Sequence, residues 1–390
     1  MTNTAAQEAS RPAGMERVAR TFPRAWELAR AAVLSVAATL LARILIPIVE
    51  RFGGDDRHYV QMALDPTEPV ATPFALRVLI PWLVHLIGTD PLPTFHVLSL
   101  AFLAAGGFFT YLIARGIGAG HRAALLAVLG LLTLRGWLFF IYNPFLADTA
   151  ALSLTAAAFA LLVWGATTAI PTFAALWALS REIWAGFAIP AYMWLRHALF
   201  DFRAAVQVAL MLIPAFMVYE MVLELAPQEG AQGVGRISWW VFQNVLEARL
   251  TEDFGWYIVY TFSGSLGVWW VLALGAAGAG GALWWWMVPV FGQFILGTDW
   301  ARYTVYAFVV VVPVGAIAVW RHPRRYALLG VVALQLGATV ADVLVDDRLK
   351  LNQIQPSFYV SGILMVLAAV LLWAPATWWP ALSGRAAART

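Results

Sequence analysis

Long apolar stretches separated by short polar segments dominate this chain. A helix that crosses a bilayer needs about 20 consecutive apolar residues. Because a segment in lipid must satisfy its own backbone hydrogen bonds, the pattern predicts an all-α polytopic membrane protein with about 10–12 transmembrane helices. The predicted spans are residues 31–49, 94–114, 123–141, 148–166, 204–226, 256–276, 279–297, 301–320, 326–344 and 358–377.

Two other apolar segments depart from this pattern. Residues 171–195 are divided by Arg181 and Glu182 and bounded by prolines, which favours a hairpin of two half-helices over one broken span. Residues 74–88 are too short to cross and contain Arg77, so they fit an interfacial or re-entrant helix in the first outer loop.

Basic residues are unevenly distributed between the two sets of span ends. With the N-terminus in the cytoplasm, the inner ends carry more arginines than the outer ends, and the acidic residues collect outside. The positive-inside rule therefore predicts that both termini are cytoplasmic. The whole chain, 1–390, reads as one transmembrane domain with a cytoplasmic segment 1–26, a first outer loop 50–93, an outer loop 227–255 and a cytoplasmic tail 378–390.

Composition narrows the possible functions. The chain is 62% hydrophobic and 12% charged, against about 45–50% and about 25% in soluble domains. Soluble enzymes, disordered proteins and nucleic-acid-binding proteins are thereby excluded. The absence of cysteine excludes disulfides, thiolate metal sites and thiol nucleophiles. Since carboxylates are costly in hydrocarbon, the few acidic residues are the first candidates for chemistry.

The first outer loop contains the densest group of candidates. Asp55 and Asp56 follow the first span and are placed to act as general base on an incoming hydroxyl, with His58 and Tyr59 beside them. Arg77 could hold a phosphate as a forked donor. The alternative interpretation is a solvated loop whose acidic residues cap the following helix.

Three further groups lie at predicted helix boundaries. Asp148 begins a span after an Asn-Pro turn, where a plain N-terminal cap is the alternative. Arg181 and Glu182 lie inside the hairpin and should face a water-filled cavity, pair with each other or pair with other helices. Asp299 and Arg302 share one helical face at an outer boundary, where they could meet a phosphate or a sugar hydroxyl, or form a local surface pair.

The order of these motifs resembles the GT-C superfamily of multi-span glycosyltransferases. The resemblance covers the first half of the chain well and the second half only by architecture, and it corresponds to a short form without a soluble C-terminal domain. The matching stretches are GGDDRHY (53–59), PFALRVLIP (73–81), NPFLAD (143–148) and SREIW (180–184), with TDWARY (298–303) as a looser match.

This resemblance implies the transfer of a sugar from a polyprenyl-phosphate donor to an acceptor at the outer face of the bacterial cytoplasmic membrane. Asp55 or Asp56 would be the base of an inverting reaction, and basic groups would offset the charge on the leaving polyprenyl phosphate. The acceptor, whether glycan, lipid or protein, is not specified, and membrane lipids are the other expected partners. Residues that would bind the substrates are His58, Tyr59, Arg77, Asp148, Arg181, Glu182, Asp299 and Arg302.

No cofactor is required by this interpretation. The histidines show no paired-ligand spacing, so no metal site is assigned, and a divalent cation stays open. Two other functions also stay open. One is a transporter or flippase for a lipid or anionic solute, with Arg181, Glu182 and Asp342 forming a site at mid-membrane. The other is a non-catalytic membrane subunit of a larger complex.

Overall fold

The computed structural model describes most of the chain. The first 20 residues, Asp299, nearly all of the predicted outer loop 227–255 and the tail 378–390 lie outside the description. The described residues are 21–46, 55–71, 74–225, 228–229, 261–295, 300–346 and 356–375.

Helices make up almost all of the secondary structure, which confirms the all-α prediction. Within the described residues the helices include, in chain order, α1 (Ala25–Leu45), α2 (Asp55–Leu64), α3 (Leu79–Ile87), α4 (Pro91–Gly116), α5 (His121–Gly130), α6 (Arg135–Tyr142), α7 (Asp148–Trp164), α8 (Ile170–Ala178), α9 (Ala188–Leu195) and α10 (Phe202–Leu225). They continue with α11 (Trp269–Leu274), α12 (Ala277–Gly280), α13 (Met287–Gly292), α14 (Trp300–Thr304), α15 (Phe308–Arg321), α16 (Arg325–Asp346) and α17 (Pro356–Trp373). Two strands of two residues each, β1 (Val70–Ala71) and β2 (Gln228–Glu229), pair in parallel.

Four helical segments in the described part are long and apolar enough to cross a membrane. The bent pair α5–α6 would make a fifth. The predicted spans 123–141 and 279–297 contain 3-10 turns that divide them into shorter pieces, whereas α7, α16 and α17 are uninterrupted. The four segments are Ala25–Leu45, Pro91–Gly116, Phe202–Leu225 and Arg302–Arg321, and the 3-10 turns are Phe74–Leu76, Leu131–Thr133, Thr167–Ala169, Glu182–Phe187, Gly281–Trp286, Gln293–Ile295 and Val305–Ala307.

Local chemistry fixes where several of these helices begin and end. Helix α1 begins six residues before the predicted span, because the carboxylate of Glu27 accepts the backbone N–H of Arg24 at 3.0 Å and closes the first turn. Asp90 caps α4 by accepting the N–H of Leu92 at 3.1 Å. Helix α3, which lies in the predicted interfacial segment, ends at Gly88, whose φ of +67° is a conformation that glycine adopts readily.

The span predicted at 123–141 is bent by 61° between α5 and α6. Leu134, between the two pieces, is extended (φ −85°, ψ 110°). Thr133 stabilises the bend: its hydroxyl donates to the carbonyl of Gly130 at 2.8 Å and accepts the indole N–H of Trp269 at 2.6 Å. The bend places Arg135 at the start of α6, inside the protein.

The segment that contains α8 and α9 is a hairpin, as its sequence favoured. Its beginning lies near the start of α10, because Thr167 accepts a hydrogen bond from Gln207 at 3.3 Å. Its end lies there too, since the hydroxyl of Tyr192 accepts the backbone N–H of Asp201 at 3.0 Å. The chain therefore enters and leaves at the same face, and Glu182 belongs to the turn between the half-helices.

Helix α15 lies at the centre of the bundle. In the segment Arg302–Arg321, 89% of the most apolar 18 residues are buried, against 28% in α1 and 22% in α10. The peripheral helices thus offer most of their apolar surface to lipid, whereas α15 is surrounded by protein. The residues that lead into α15 are consequently held inside the molecule.

Contacts between helix ends group them into two faces. On one face Arg115 pairs with Glu27 at 3.4 Å, and Arg321 donates to the carbonyl of Gly118 at 3.1 Å. These are ends that the distribution of arginines predicts to be cytoplasmic. Asp148 begins α7 at the opposite end of the bundle, where the candidate site lies. We call these the arginine-rich face and the site face.

Candidate functional site

Arg77 connects the first outer loop to the tip of the hairpin. Its Nε and Nη2 donate to the two carboxylate oxygens of Glu182, both at 3.3 Å, and its Nη1 donates to the hydroxyl of Tyr59 at 3.2 Å. The side chain of Arg77 is buried. Burial alone would lower the pKa of Arg77, but the Glu182 carboxylate together with Tyr59 and Tyr303 holds the pKa well above the ordinary value. The fork that the sequence suggested for a phosphate is therefore filled by a carboxylate.

Asp148 is the centre of a second group. Its carboxylate is 1% exposed and pairs with Arg181, while Arg302 Nη1 lies 4.0 Å from Oδ2. The hydroxyl of Tyr306 donates to Oδ1 at 2.9 Å. Asp148 is the first residue of α7, yet its side chain does not cap that helix. Its carboxylate instead organises two arginines.

Two tyrosine rings flank the guanidinium of Arg181. The Cζ atom lies 5.1 Å from the ring centre of Tyr303 and 5.7 Å from that of Tyr306, within the range of a cation–π contact. Sequence reasoning missed Tyr306, which is uncharged and lies in a long apolar stretch. Its spacing of four residues from Arg302, which places both on one helical face, was the available signal.

The two groups adjoin, because Arg181 and Glu182 are consecutive in the chain. They do not pair with each other: Arg181 pairs with Asp148, and Glu182 binds Arg77. Including Arg302, three arginines share two carboxylates in these ion pairs. The side chain of Glu182 is 33% exposed, whereas that of Asp148 is 1% exposed. The Glu182 side of the cluster is thus the more accessible one.

The first-loop helix α2 brings its residues to the same cluster. Asp55 is the first residue of α2, and its side chain lies outside the description. Asp56 is buried and precedes Tyr59 by three residues, so the two share one face of the helix. The ring of His58 stacks on that of Phe74, with centroids 4.6 Å apart. Asp56 is therefore within about one helical turn of a residue that contacts Arg77.

The turn before α7 is held in place by helix α4. The hydroxyl of Ser99 donates to the carbonyl of Pro144 and accepts a hydrogen bond from Thr149 at 3.3 Å. These contacts fix the backbone on both sides of Asp148. The position of its carboxylate thus depends on helix packing as well as on its arginines.

The described part of the chain contains no group of three or more His, Asp or Glu side chains that could hold a metal ion.

The structure brings together six of the predicted substrate-binding residues, and a seventh lies at the edge of the group. Tyr59, Arg77, Asp148, Arg181, Glu182 and Arg302 form the cluster, whereas His58 contacts Phe74 at its edge.

Asp342, which the transporter hypothesis grouped with Arg181 and Glu182, lies in a different ion pair. It pairs with Arg135 and accepts the backbone N–H of Ser357 at 3.2 Å. Arg135 also donates to the hydroxyl of Ser357 at 2.6 Å. This buried pair joins the bend between α5 and α6 to helices α16 and α17.

The fold of this chain is similar to that of a solved structure. The crystal structure of ArnT from Cupriavidus metallidurans in the apo state matches 88% of this chain and 77% of the ArnT chain, with a TM-score of 0.50 at 15% sequence identity. ArnT is a glycosyltransferase of the GT-C family, so the chain has a GT-C-like fold. No family model matches the sequence, and no curated protein matches it.

Proposed function

We propose that this protein is a membrane glycosyltransferase of the GT-C type, which transfers a sugar from a polyprenyl-phosphate donor to an acceptor at the outer face of the cytoplasmic membrane. One observation carries the proposal: Arg181 and Arg302 share the single buried carboxylate of Asp148. Arginine guanidinium groups are well suited to bind phosphate oxygens. The leaving polyprenyl phosphate supplies such oxygens, and the GT-C-like fold supports the assignment.

Arg302 is the arginine that best suits the donor phosphate. Its closest approach to Asp148 is 4.0 Å, so an approaching phosphate does not have to break a short ion pair between Arg302 and Asp148. Arg77 already directs its fork to Glu182, and Arg181 is enclosed by two tyrosine rings. In this proposal Arg181 and Arg77 fix the framework of the site, and Arg302 neutralises the leaving group.

The base of the proposed reaction is Asp55 or Asp56. An inverting transfer requires one group to remove the proton of the acceptor hydroxyl. Carboxylates that are paired with arginine are poor proton acceptors, which argues against Asp148 and Glu182. Asp56 has the support of its burial on the face of α2 that carries Tyr59. Tyr59, His58 and the exposed edge of Glu182 are then proposed to contact the sugar.

The test is the turnover of polyprenyl-phosphate sugars by the full chain in proteoliposomes. Sugar release or transfer from a panel of polyprenyl-phosphate hexoses and pentoses would be measured for the parent and for Asp55→Asn and Asp56→Asn. Removal of the base should lower turnover by about 10²–10⁴-fold. Glu68→Gln, which alters an exposed acid of the same loop, should retain parental turnover.

Arg302→Gln separates the phosphate role from the base role. It should weaken binding of the bare polyprenyl phosphate, whereas the variant of the true base should bind that lipid as the parent does. Parental turnover in both aspartate variants would refute the proposed base. If none of the donors in the panel releases sugar, the proposed activity is refuted.

The transporter hypothesis has less support. It requires Asp342 to act together with Arg181 and Glu182, but Asp342 is engaged with Arg135 and Ser357. Movement of the labelled lipid across the proteoliposome membrane without sugar release, abolished by Arg181→Gln, would favour it over the glycosyltransferase.

A further inference from the structure

A cavity of about 520 Å³ opens at the arginine-rich face, away from the candidate site. It lies between two parts of the chain. One is residues 274–279, from the end of α11 into α12, and the other is the C-terminal end of α15. Helix α15 alone separates the two locations by about 20 Å, from its 14 residues at 1.5 Å each. Its volume is within the range of small-ligand sites, about 300–1,000 Å³.

One wall of the cavity has almost no side chains. Five consecutive residues, 275–279, are glycine or alanine. A Cβ atom added at Gly278 would meet no atom within 4 Å, so this position faces open space. A ligand would lie directly against the backbone here.

The opposite wall is cationic. Arg321 lines the cavity, and its Nη2 donates to the carbonyl of Gly118 at 3.1 Å, which anchors the guanidinium at the rim. His322 lines the same wall, and burial lowers its pKa, so the permanent charge of this wall is that of Arg321. Neither Arg321 nor the neighbouring Arg122 and Arg325 forms an ion pair within the described part of the chain.

The rim of the cavity is apolar on the side of α11. Leu274 lines the cavity and is 59% exposed. A ligand that satisfies both sides must join a negative charge to an apolar body. We infer that this cavity binds an anionic phospholipid, with the headgroup phosphate at Arg321 and the acyl chains beside Leu274. The leaflet that carries most anionic lipid is the cytoplasmic one, to which the arginine distribution assigns this face.

The test is lipid retention by the purified full chain, measured by native mass spectrometry with phosphatidylglycerol and with phosphatidylcholine. The parent should bind phosphatidylglycerol about fivefold more tightly, the effect expected of one basic residue near a phosphate. Arg321→Gln should remove most of that preference, and Arg321→Lys should keep it. Gly278→Leu, at a cavity-lining position where an added Cβ meets no atom within 4 Å, should reduce phosphatidylglycerol binding by a similar factor.

Two matched controls accompany these variants. Arg325→Gln removes a charge that does not line the cavity, and Gly330→Leu adds the same side chain at another glycine with open space around it. Both should stay within about twofold of the parental preference, since less than 0.5 kcal/mol separates such affinities. Equal binding of the two lipids by the parent would overturn the inference.

Parental binding by Gly278→Leu, or equal losses in the controls, would also overturn it. If Arg321→Gln fails to fold, as judged by size-exclusion chromatography, the comparison of Gly278→Leu with Gly330→Leu decides the question. A last arm adds soluble inorganic phosphate. Full displacement of phosphatidylglycerol by millimolar phosphate would show a free-phosphate site and refute the lipid.

Discussion

The substitution Asp148→Asn is expected to be the most destabilising single change in the candidate site. The carboxylate is 1% exposed and is shared by Arg181 and Arg302, with Tyr306 donating a further hydrogen bond. An asparagine of similar size keeps the packing but removes the negative charge. Two guanidinium groups then remain in a buried position without their counter-ion.

The magnitude follows from burial. Removing one partner of a buried ion pair costs about 3–5 kcal/mol, because the remaining charge is left desolvated. Glu182→Gln provides the comparison: the same change removes the partner of Arg77, but the side chain of Glu182 is 33% exposed. Arg77 is itself buried, but it is one guanidinium and not two, and solvent at the exposed side of position 182 screens it, so the cost should be about 1–2 kcal/mol. The structure therefore predicts a difference of about 2–3 kcal/mol between the two variants.

The assay is denaturation in mixed micelles, followed by intrinsic fluorescence of the 20 tryptophans. The double variant Asp148→Asn/Arg181→Gln serves as a control, because it removes one of the two stranded charges. It should recover part of the stability lost in Asp148→Asn. Equal losses in Asp148→Asn and Glu182→Gln would refute the reasoning, since burial would then not determine the cost.

Two further predictions test the helix packing and the second ion pair. The chain has no cysteine, and the ideal Cβ of Gly107 lies 3.4 Å from the Cβ of Ser35, close to the separation in disulfides, so Ser35→Cys/Gly107→Cys should cross-link on oxidation. A mobility shift on non-reducing gels, absent in each single variant, checks this, and failure to cross-link would contradict the packing of α1 on α4. For the buried Arg135–Asp342 pair, Arg135→Met and Asp342→Leu should each cost about 3–5 kcal/mol, and the double variant should cost less than their sum. Additive losses in the same denaturation assay would contradict a direct ion pair.

Hydrophobic length predicted the uninterrupted helices well. Helices α1, α4 and α10 each contain more than 20 residues with few charges, so composition alone determines that they are helical in lipid. The stretch 279–297 is equally apolar, yet it consists of two 3-10 turns and short helical pieces. Its breaks arise from tertiary contacts, such as the hydrogen bond from the indole of Trp286 to the carbonyl of Tyr306. Hydropathy carries no information about such contacts.

The candidate site was likewise predictable only in part. Arg77, Asp148, Arg181 and Glu182 were identifiable because charges are rare and costly in apolar segments. Which of these charges pair with each other could not be predicted, because sequence spacing relates only residues on one helix, whereas these ion pairs join distant parts of the chain. The adjacent Arg181 and Glu182 illustrate the difficulty, since each pairs with a residue of another segment.

The ion-pair arrangement explains how a cationic phosphate site can persist in an apolar bundle without its ligand. Two buried arginines would repel each other and lose hydration, and the carboxylate of Asp148 offsets both costs while the site is empty. The contact to Arg302 is the long one, so under the proposed function a phosphate meets this arginine first, while Arg181 stays fixed between Asp148 and two tyrosine rings. Such preorganisation is what electrostatic stabilisation of a leaving group requires, because donors that are already in place need no reorganisation during the reaction.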